Sequence, residues 1–172
     1  MSKADFTIAV EVPDRSDVAA LLAEARAYSL ARYPAQSNHR LPIEELMSPN
    51  VTFLVVRRDG EALGAAALYR SPQGIAELKS MVVAERARGI GLGHRLVDSI
   101  VTLAAKEGYS TLMLETGIHS HEALALYKRC GFARRGRFGS YSDDPLSVFM
   151  ERRLQPGSSR ESLVGDPTSR GG

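Results

Sequence analysis

The stretch AELKSMVVAERARGIGLGHRL, Ala76 to Leu96, decides how the chain is read. Residues 78–83 are apolar and β-branched enough for a buried strand. Residues 88–93, RGIGLG, then place glycine at every second position. Leu92, Leu96 and Ile100 recur four apart, on one face of a helix. Strand, glycine loop and helix N-terminus in that order make an anion site. The first turn of a helix has N–H groups without intrahelical partners and carries the positive end of the helix dipole. Glycine lets such a backbone approach an oxyanion with no Cβ in the way. A phosphate-bearing ligand is therefore expected here. The spacing does not fit G-x-x-x-x-G-K-[ST], nor G-x-G-x-x-G, because the next glycine after Gly91 comes two residues on. No ribose-binding acid stands where a dinucleotide fold needs one.

Working outward, two apolar runs, residues 51–57 and 62–69, meet across Asp59-Gly60, a hairpin signal. A turn at residues 71–74 leads into the strand over 75–83, so three antiparallel strands precede the glycine loop. Further back, residues 6–12 alternate as a strand ended by Pro13. Asp14 is placed as the N-cap of a helix running to Arg32, with Val18, Leu21, Leu22, Ala25 and Tyr28 at helical spacing. Residues 34–42 read as a polar loop and 43–47 as a short helix. After the long helix, Gly108 is a C-cap, 111–116 a buried strand, 120–130 a helix stopped at Gly131, and 132–138 and 146–154 the last strands. One mixed α/β domain over residues 1–154 is expected, with residues 155–172 a disordered tail by composition.

Composition bounds the function. With 172 residues, 44% of them hydrophobic and 24% charged, the chain is long enough to bury a proper core. A net charge of +2, from 22 basic and 20 acidic side chains, is too balanced to argue for nucleic acid or an anionic membrane as partner. The single cysteine, Cys130, excludes an internal disulfide or a thiolate cluster and reads as a buried helix-end residue. The four histidines show no metal spacing beyond His119 and His121, which fall in a turn, so no metal is expected. No apolar run reaches membrane length and the first residues lack a leader pattern. A cytoplasmic monomer or homodimer is the expectation.

Residues 122–132, EALALYKRCGF, supply a second motif. R-x-x-G-x-G at Arg88, Gly91 and Gly93, and A-x-x-L-Y-x-x-x-G-F from Ala123 to Phe132, resemble two ordered motifs of the GNAT superfamily of acetyl-CoA-dependent N-acetyltransferases. The resemblance runs over residues 6–154, and the LETG run at 114–117 looks like an uncharacterised bacterial small-molecule subgroup. It implies an α/β fold: a mixed, mostly antiparallel twisted sheet of six to seven strands, flanked by about four helices. The sheet would splay between its fourth and fifth strands, here residues 75–83 and 111–116. Acetyl-CoA is the implied cofactor. Arg88, Gly89, Ile90, Gly91, Leu92, Gly93 and His94 would cradle its pyrophosphate. Met81, Val82 and Val83 would pair with its pantetheine arm, as an unpaired strand edge requires. Many members carry asparagine where this chain has Ser120, which leaves that contact to the arm open.

The implied chemistry is direct attack by a primary amine, with two proton movements. Tyr127 matches the family tyrosine that protonates the leaving thiolate; a phenol of pKa about 10 suits a thiolate of about 8.5 only approximately, so position matters as much as acidity. The plainer reading is a core tyrosine between Ala123 and Cys130 on one helical face. Glu77 occupies the strand position of the general base in several members, against the plainer reading of a strand carboxylate paired with Lys79; Glu115 is the second candidate. The loops at 33–41 and 138–145 should set the acceptor. Tyr33, Arg40, Lys79, Glu115 and Tyr141 are its candidate contacts, with Arg40 or Lys79 for a carboxylate and Asp143 or Asp144 for an ammonium group. A small-molecule amine is the expected partner. The rivals are a protein lysine or N-terminal acetyltransferase and a non-catalytic acyl-CoA sensor.

Overall fold

The computed structural model describes residues 5–155. The tail expected over 155–172 therefore lies outside the described residues, except for its first position. One seven-stranded sheet, in the order β1-β2-β3-β4-β5-β7-β6, organises the chain. Its strands are β1 (Thr7–Val10), β2 (Val51–Arg58), β3 (Glu61–Arg70), β4 (Ala76–Val83), β5 (Thr111–Gly117), β6 (Ala133–Arg135) and β7 (Ser147–Arg153). The helices are α1 (Ser16–Arg32), α2 (Ile43–Leu46), α3 (Leu92–Lys106) and α4 (His121–Arg129). The expected mixed, mostly antiparallel sheet is present: β1 to β4 pair antiparallel in succession, β4 and β5 are parallel, and β5, β7 and β6 pair antiparallel.

The β2–β3 hairpin turns at Asp59 and Gly60, with φ of 50° and 79°. Positive φ at both central residues is what a two-residue hairpin turn of matching twist needs. Side chains then alternate across the sheet. Val18, Leu46, Phe53, Val55, Ala65 and Ala67 pack on the α1/α2 face. Leu54, Val56, Ala66 and Leu68 join α3, α4 and β5 on the other. On α3, Leu92, Leu96, Ile100 and Ala104 are all buried, the stripe that the four-residue spacing predicts.

The feature that positions the site is where β4 and β5 part. They pair only at Ala76–Leu112 and Glu77–Met113. Beyond that point β4 stays on β3 while β5 runs on beside β7. Opposite Ala65 and Ala67, β4 carries one extra residue, and Ser80 there has φ of 54°. This bulge re-aims the end of β4, and a non-glycine residue held there at positive φ is strained by about 1–3 kcal/mol.

Several local expectations are corrected. Asp14 does not cap α1; Arg15 precedes the helix and no side chain caps it. Asp17 is drawn instead into an ion pair, its Oδ2 accepting from Arg57 Nη1 at 2.7 Å. The first strand stops at Val10. β6 ends at Arg135 because the chain leaves the sheet to bury Phe138, which packs edge-on against Phe149 and Tyr141. Ser120 takes the N-cap position of α4, but its hydroxyl bonds to Tyr33 rather than to the helix.

Ile100 is fully buried between α3 and the sheet. Ile100→Ala should destabilise the fold by about 2–5 kcal/mol, since transfer and cavity terms add. Denaturant titration checks this, with a midpoint lowered at unchanged slope as the expected result.

Candidate active site

A cleft of about 1020 Å3 fills the split between β4 and β5. It is lined by every candidate residue taken from the sequence except Asp143, Asp144 and Ile90, the last with its side chain half exposed to solvent.

At one end lies the loop that starts α3. Gly91 is its N-cap, with φ of 85°, a conformation that side chains resist. No backbone N–H from residues 89–94 finds a carbonyl partner among the described residues, whereas Arg95 N already donates to Gly91 O. A run of free donors at the positive end of a fifteen-residue helix has the chemistry to receive an anion. Gly93 is there for packing: a Cβ would stand 2.9 Å from Leu126 Cδ2 of α4. His94 is tied to α3 and α4, with Nε2 3.2 Å from Asp98 Oδ2 and Nδ1 3.4 Å from Cys130 Sγ. Cys130 itself is buried, as expected, and burial raises its thiol pKa. Arg88 lies 3.7 Å from Glu122, an exposed pair of little energetic weight.

Along the cleft wall, Met81, Val82 and Val83 follow the Ser80 bulge, half-buried, on a strand edge that β5 has left. Opposite them Tyr127 of α4 is buried. Desolvation pushes its phenol above the ordinary tyrosine range, with the nearby Arg40 guanidinium opposing only in part. Glu115 on β5 is half-buried, and burial raises its carboxyl to about 7, offset in part by the Ser147 hydroxyl and Lys79.

Glu77 is placed differently from Glu115. It is 5% exposed, and its Oε1 accepts from Tyr141 Oη and from Lys79 Nζ at 3.3 Å. Lys79 Nζ also donates to Tyr141 Oη at 2.7 Å. The three side chains close a compact network that the sequence, with Glu77 and Lys79 on one strand, half revealed. The two loops singled out as acceptor loops meet here. Ser37 Oγ donates to Asp144 Oδ2 at 2.5 Å, and His39 stands edge-on to Tyr141 with ring centroids 5.0 Å apart. Neither acid of the second loop lines the cleft. Asp144 is engaged by Ser37 and by Leu146 N, and exposed Asp143 pairs with Arg137 at 3.1 Å. Tyr33 lines the cleft, but its hydroxyl is already taken by His119 N–H and Ser120 Oγ, each at 3.0 Å. Ser29 of α1, whose Oγ receives Arg40 Nε at 3.4 Å, also lines the cleft; nothing in the α1 sequence pattern singles it out.

A sheet split between two parallel strands, with a helix N-terminus at one end of the split, is a slot for an extended anionic ligand. The chain belongs to the acetyltransferase (GNAT) family, whose model matches residues 18–132. It is an acetyl-CoA-dependent N-acetyltransferase. A protein named IAA acetyltransferase from Azospirillum brasilense is 44% identical over 151 residues, 87% of this chain and 99% of that protein. The uncharacterised N-acetyltransferase YsnE of Bacillus subtilis is 36% identical over 123 residues, 70% of this chain and 82% of that protein. Among solved structures, a Klebsiella pneumoniae protein assigned as an acyl-CoA N-acyltransferase superposes with a TM-score of 0.74 at 37% identity, covering 88% of this chain and 99% of that one. A Bacillus anthracis protein assigned as a streptothricin acetyltransferase, solved in complex with acetyl coenzyme A, shares the fold with a TM-score of 0.58 at 23% identity, over 68% of this chain and 70% of that one. No helix among the described residues is long and apolar enough to cross a membrane.

The raised carboxyl of Glu115 predicts a pH-dependent stability. Its folded pKa, about 7, lies above the ordinary value of 4.5. The protonated form therefore favours folding at low pH, and that contribution is lost as pH rises through about 7. Glu115→Gln, which stays neutral, should gain stability relative to the unmodified protein between pH 5 and pH 8. Denaturation midpoints at the two pH values check this.

Proposed function

We propose that the protein acetylates a primary amine of a small molecule by direct attack, with Glu115 as general base and Tyr127 as general acid. Acetyl-CoA, when bound, supplies a thioester acyl group and a thiol leaving group. The free N–H groups of residues 89–94 suit its pyrophosphate, and the open β4 edge at Met81, Val82 and Val83 suits its pantetheine arm. The observation that carries the reading is the pairing of environments across one cleft. Glu115 titrates near neutrality, where a general base works best, and Tyr127 keeps its proton throughout that range. Glu115 Oε takes the ammonium proton, and Tyr127 Oη holds the proton that the departing sulfur requires.

From the sequence, Glu77 is the first candidate for the base. Its carboxylate, however, already receives two donors. We therefore assign Glu77 to holding Lys79 and Tyr141 in place. A small acceptor, rather than a peptide, is favoured by the way Ser37–Asp144 and His39–Tyr141 stitch the two loops together over that end of the cleft. The name IAA acetyltransferase, carried by a 44% identical relative, points the same way.

The test is kcat/KM against pH for the unmodified protein and three variants. The unmodified protein should rise to a plateau through about pH 7. Glu115→Gln should flatten that limb and lose about 10²–10⁴-fold, the usual contribution of a positioned acid or base. Tyr127→Phe should lose turnover while still being stabilised by CoA on heating. Loss of the limb in Glu77→Gln but not in Glu115→Gln would return the base to Glu77. Full activity in Tyr127→Phe would remove the acid.

A further inference from the structure

We infer that the acceptor carries a carboxylate as well as its amine, and that Arg40 is the side chain that holds the carboxylate. This rests on the small-amine reading above and narrows it to a substrate class.

The cleft does not end at the β4–β5 pairing. A second cavity of about 510 Å3 adjoins it. His39, Arg40, Glu77, Lys79 and Tyr141 line both, so they form the wall between the two. A ligand reaching from one space into the other must pass these five side chains. Lys79 is engaged by Glu77 and Tyr141. Arg40 is not so placed. Its Nε reaches Ser29 Oγ at 3.4 Å, and no carboxylate among the described residues lies within ion-pair distance of its guanidinium.

A half-buried guanidinium with an empty fork is an incomplete site. It has five N–H donors, and taking it from water without a counter-charge costs free energy. Desolvation is the largest influence on this arginine, opposed by the electrostatic effect of Tyr127 and Glu115. Those are the two groups assigned to the proton movements, so an anion placed on Arg40 belongs to the acceptor and not to the phosphates at the far loop. A carboxylate matches better than a phosphate ester. One planar fork binds one carboxylate through two parallel hydrogen bonds. A dianion would need a second free cation, and the carboxylates of Glu77 and Glu115 oppose any further negative charge.

The second cavity also indicates the body of the molecule. Leu41, Pro42, Tyr69, Ile75, Phe138 and Tyr141 make much of its wall apolar or aromatic. The acceptor class is therefore an amino acid or similar compound: a primary amine and a carboxylate a few bonds apart, on an apolar or aromatic body.

The experiment uses the full chain with acetyl-CoA and matched pairs of acceptors: phenylalanine against phenethylamine, and leucine against 3-methylbutylamine. Thiol release and product mass are both read. A charge-assisted hydrogen bond is worth about 1.5–3 kcal/mol, so the carboxylate member of each pair should be favoured about tenfold or more in kcat/KM, chiefly through KM. Arg40→Met should bring that ratio close to one, and Arg40→Lys should keep part of it. Binding of N-acetylphenylalanine by calorimetry should weaken by a similar factor in Arg40→Met, with circular dichroism showing the fold intact. The inference is overturned if the unmodified protein favours the bare amines or treats each pair alike. It is also overturned if Arg40→Met lowers both members equally and leaves the ratio unchanged. Acetylation of bare amines alone would overturn the carboxylate and leave the small-amine reading standing. Acetylation of peptides with no small amine accepted would overturn both.

Discussion

Everything in this fold hangs on a pairing that stops. β4 and β5 share two residue pairs and then separate. A buried strand edge with free N–H and C=O groups is costly, so a structure that leaves one open must supply a partner for it. The chain makes that separation durable in three ways. The Ser80 bulge turns the end of β4 against its own strand preference. β5 is held on its far side by seven register pairs to β7, so it cannot drift back. The buried stripe of α3 fastens the start of that helix beneath the opening, with its free N–H groups facing the gap. None of these devices depends on a reactive side chain. They make a slot shaped for an extended, anionic, hydrogen-bonding ligand, which is a fair physical description of coenzyme A.

The closed end of the slot works on different physics. Four ionisable side chains, Glu77, Lys79, Arg40 and Glu115, stand in a region of low exposure, and they are not matched one to one. Glu77 and Lys79 neutralise one another, with Tyr141 bridging them. That leaves Glu115 and Arg40 outside any ion pair among the described residues. The two respond as their chemistry allows. A carboxylate can pick up a proton, and Glu115 moves to about 7. A guanidinium cannot usefully lose one, so Arg40 stays charged and incompletely bound. On the proposed reading both states are useful: a carboxyl poised to exchange a proton, and a cation poised to receive an anion. The Glu77–Lys79–Tyr141 network matters because it engages Glu77 and Lys79 with one another.

Much of the architecture was legible in the sequence, and the reasons are local. The α3 stripe at Leu92, Leu96 and Ile100, the Asp59-Gly60 hairpin and the glycine loop each state their structure within a dozen residues. The failures come from partners far away in sequence. Asp14 is spaced for a cap, yet Arg15 precedes the helix and Arg57 on β2 holds Asp17 in its first turn. Ser120 takes the cap position, yet Tyr33 on the loop after α1 claims its hydroxyl. The strand expected over 132–138 stops early, because burying Phe138 against Phe149 and Tyr141 outweighs three more ladder residues at a sheet edge. The site divides in the same way. The loop at 88–93 could be read directly. The surroundings of Glu77 could not, since they include Tyr141, 64 residues away along the chain.

That division follows from how each end would recognise its ligand. Recognition by backbone N–H and C=O needs only glycines and a strand edge, so many side-chain sets satisfy it and a short pattern announces it. Recognition by side chains brought together from α1, two long loops, β4 and β5 leaves no contiguous trace. Single substitutions at such positions change the wall without touching the sheet. An acetyltransferase of this kind can therefore keep its cofactor slot while its acceptor end changes, and likeness to a relative constrains the two ends unequally. Acceptor choice then rests on charge balance at the junction of the two cavities, where no carboxylate among the described residues lies within ion-pair distance of Arg40.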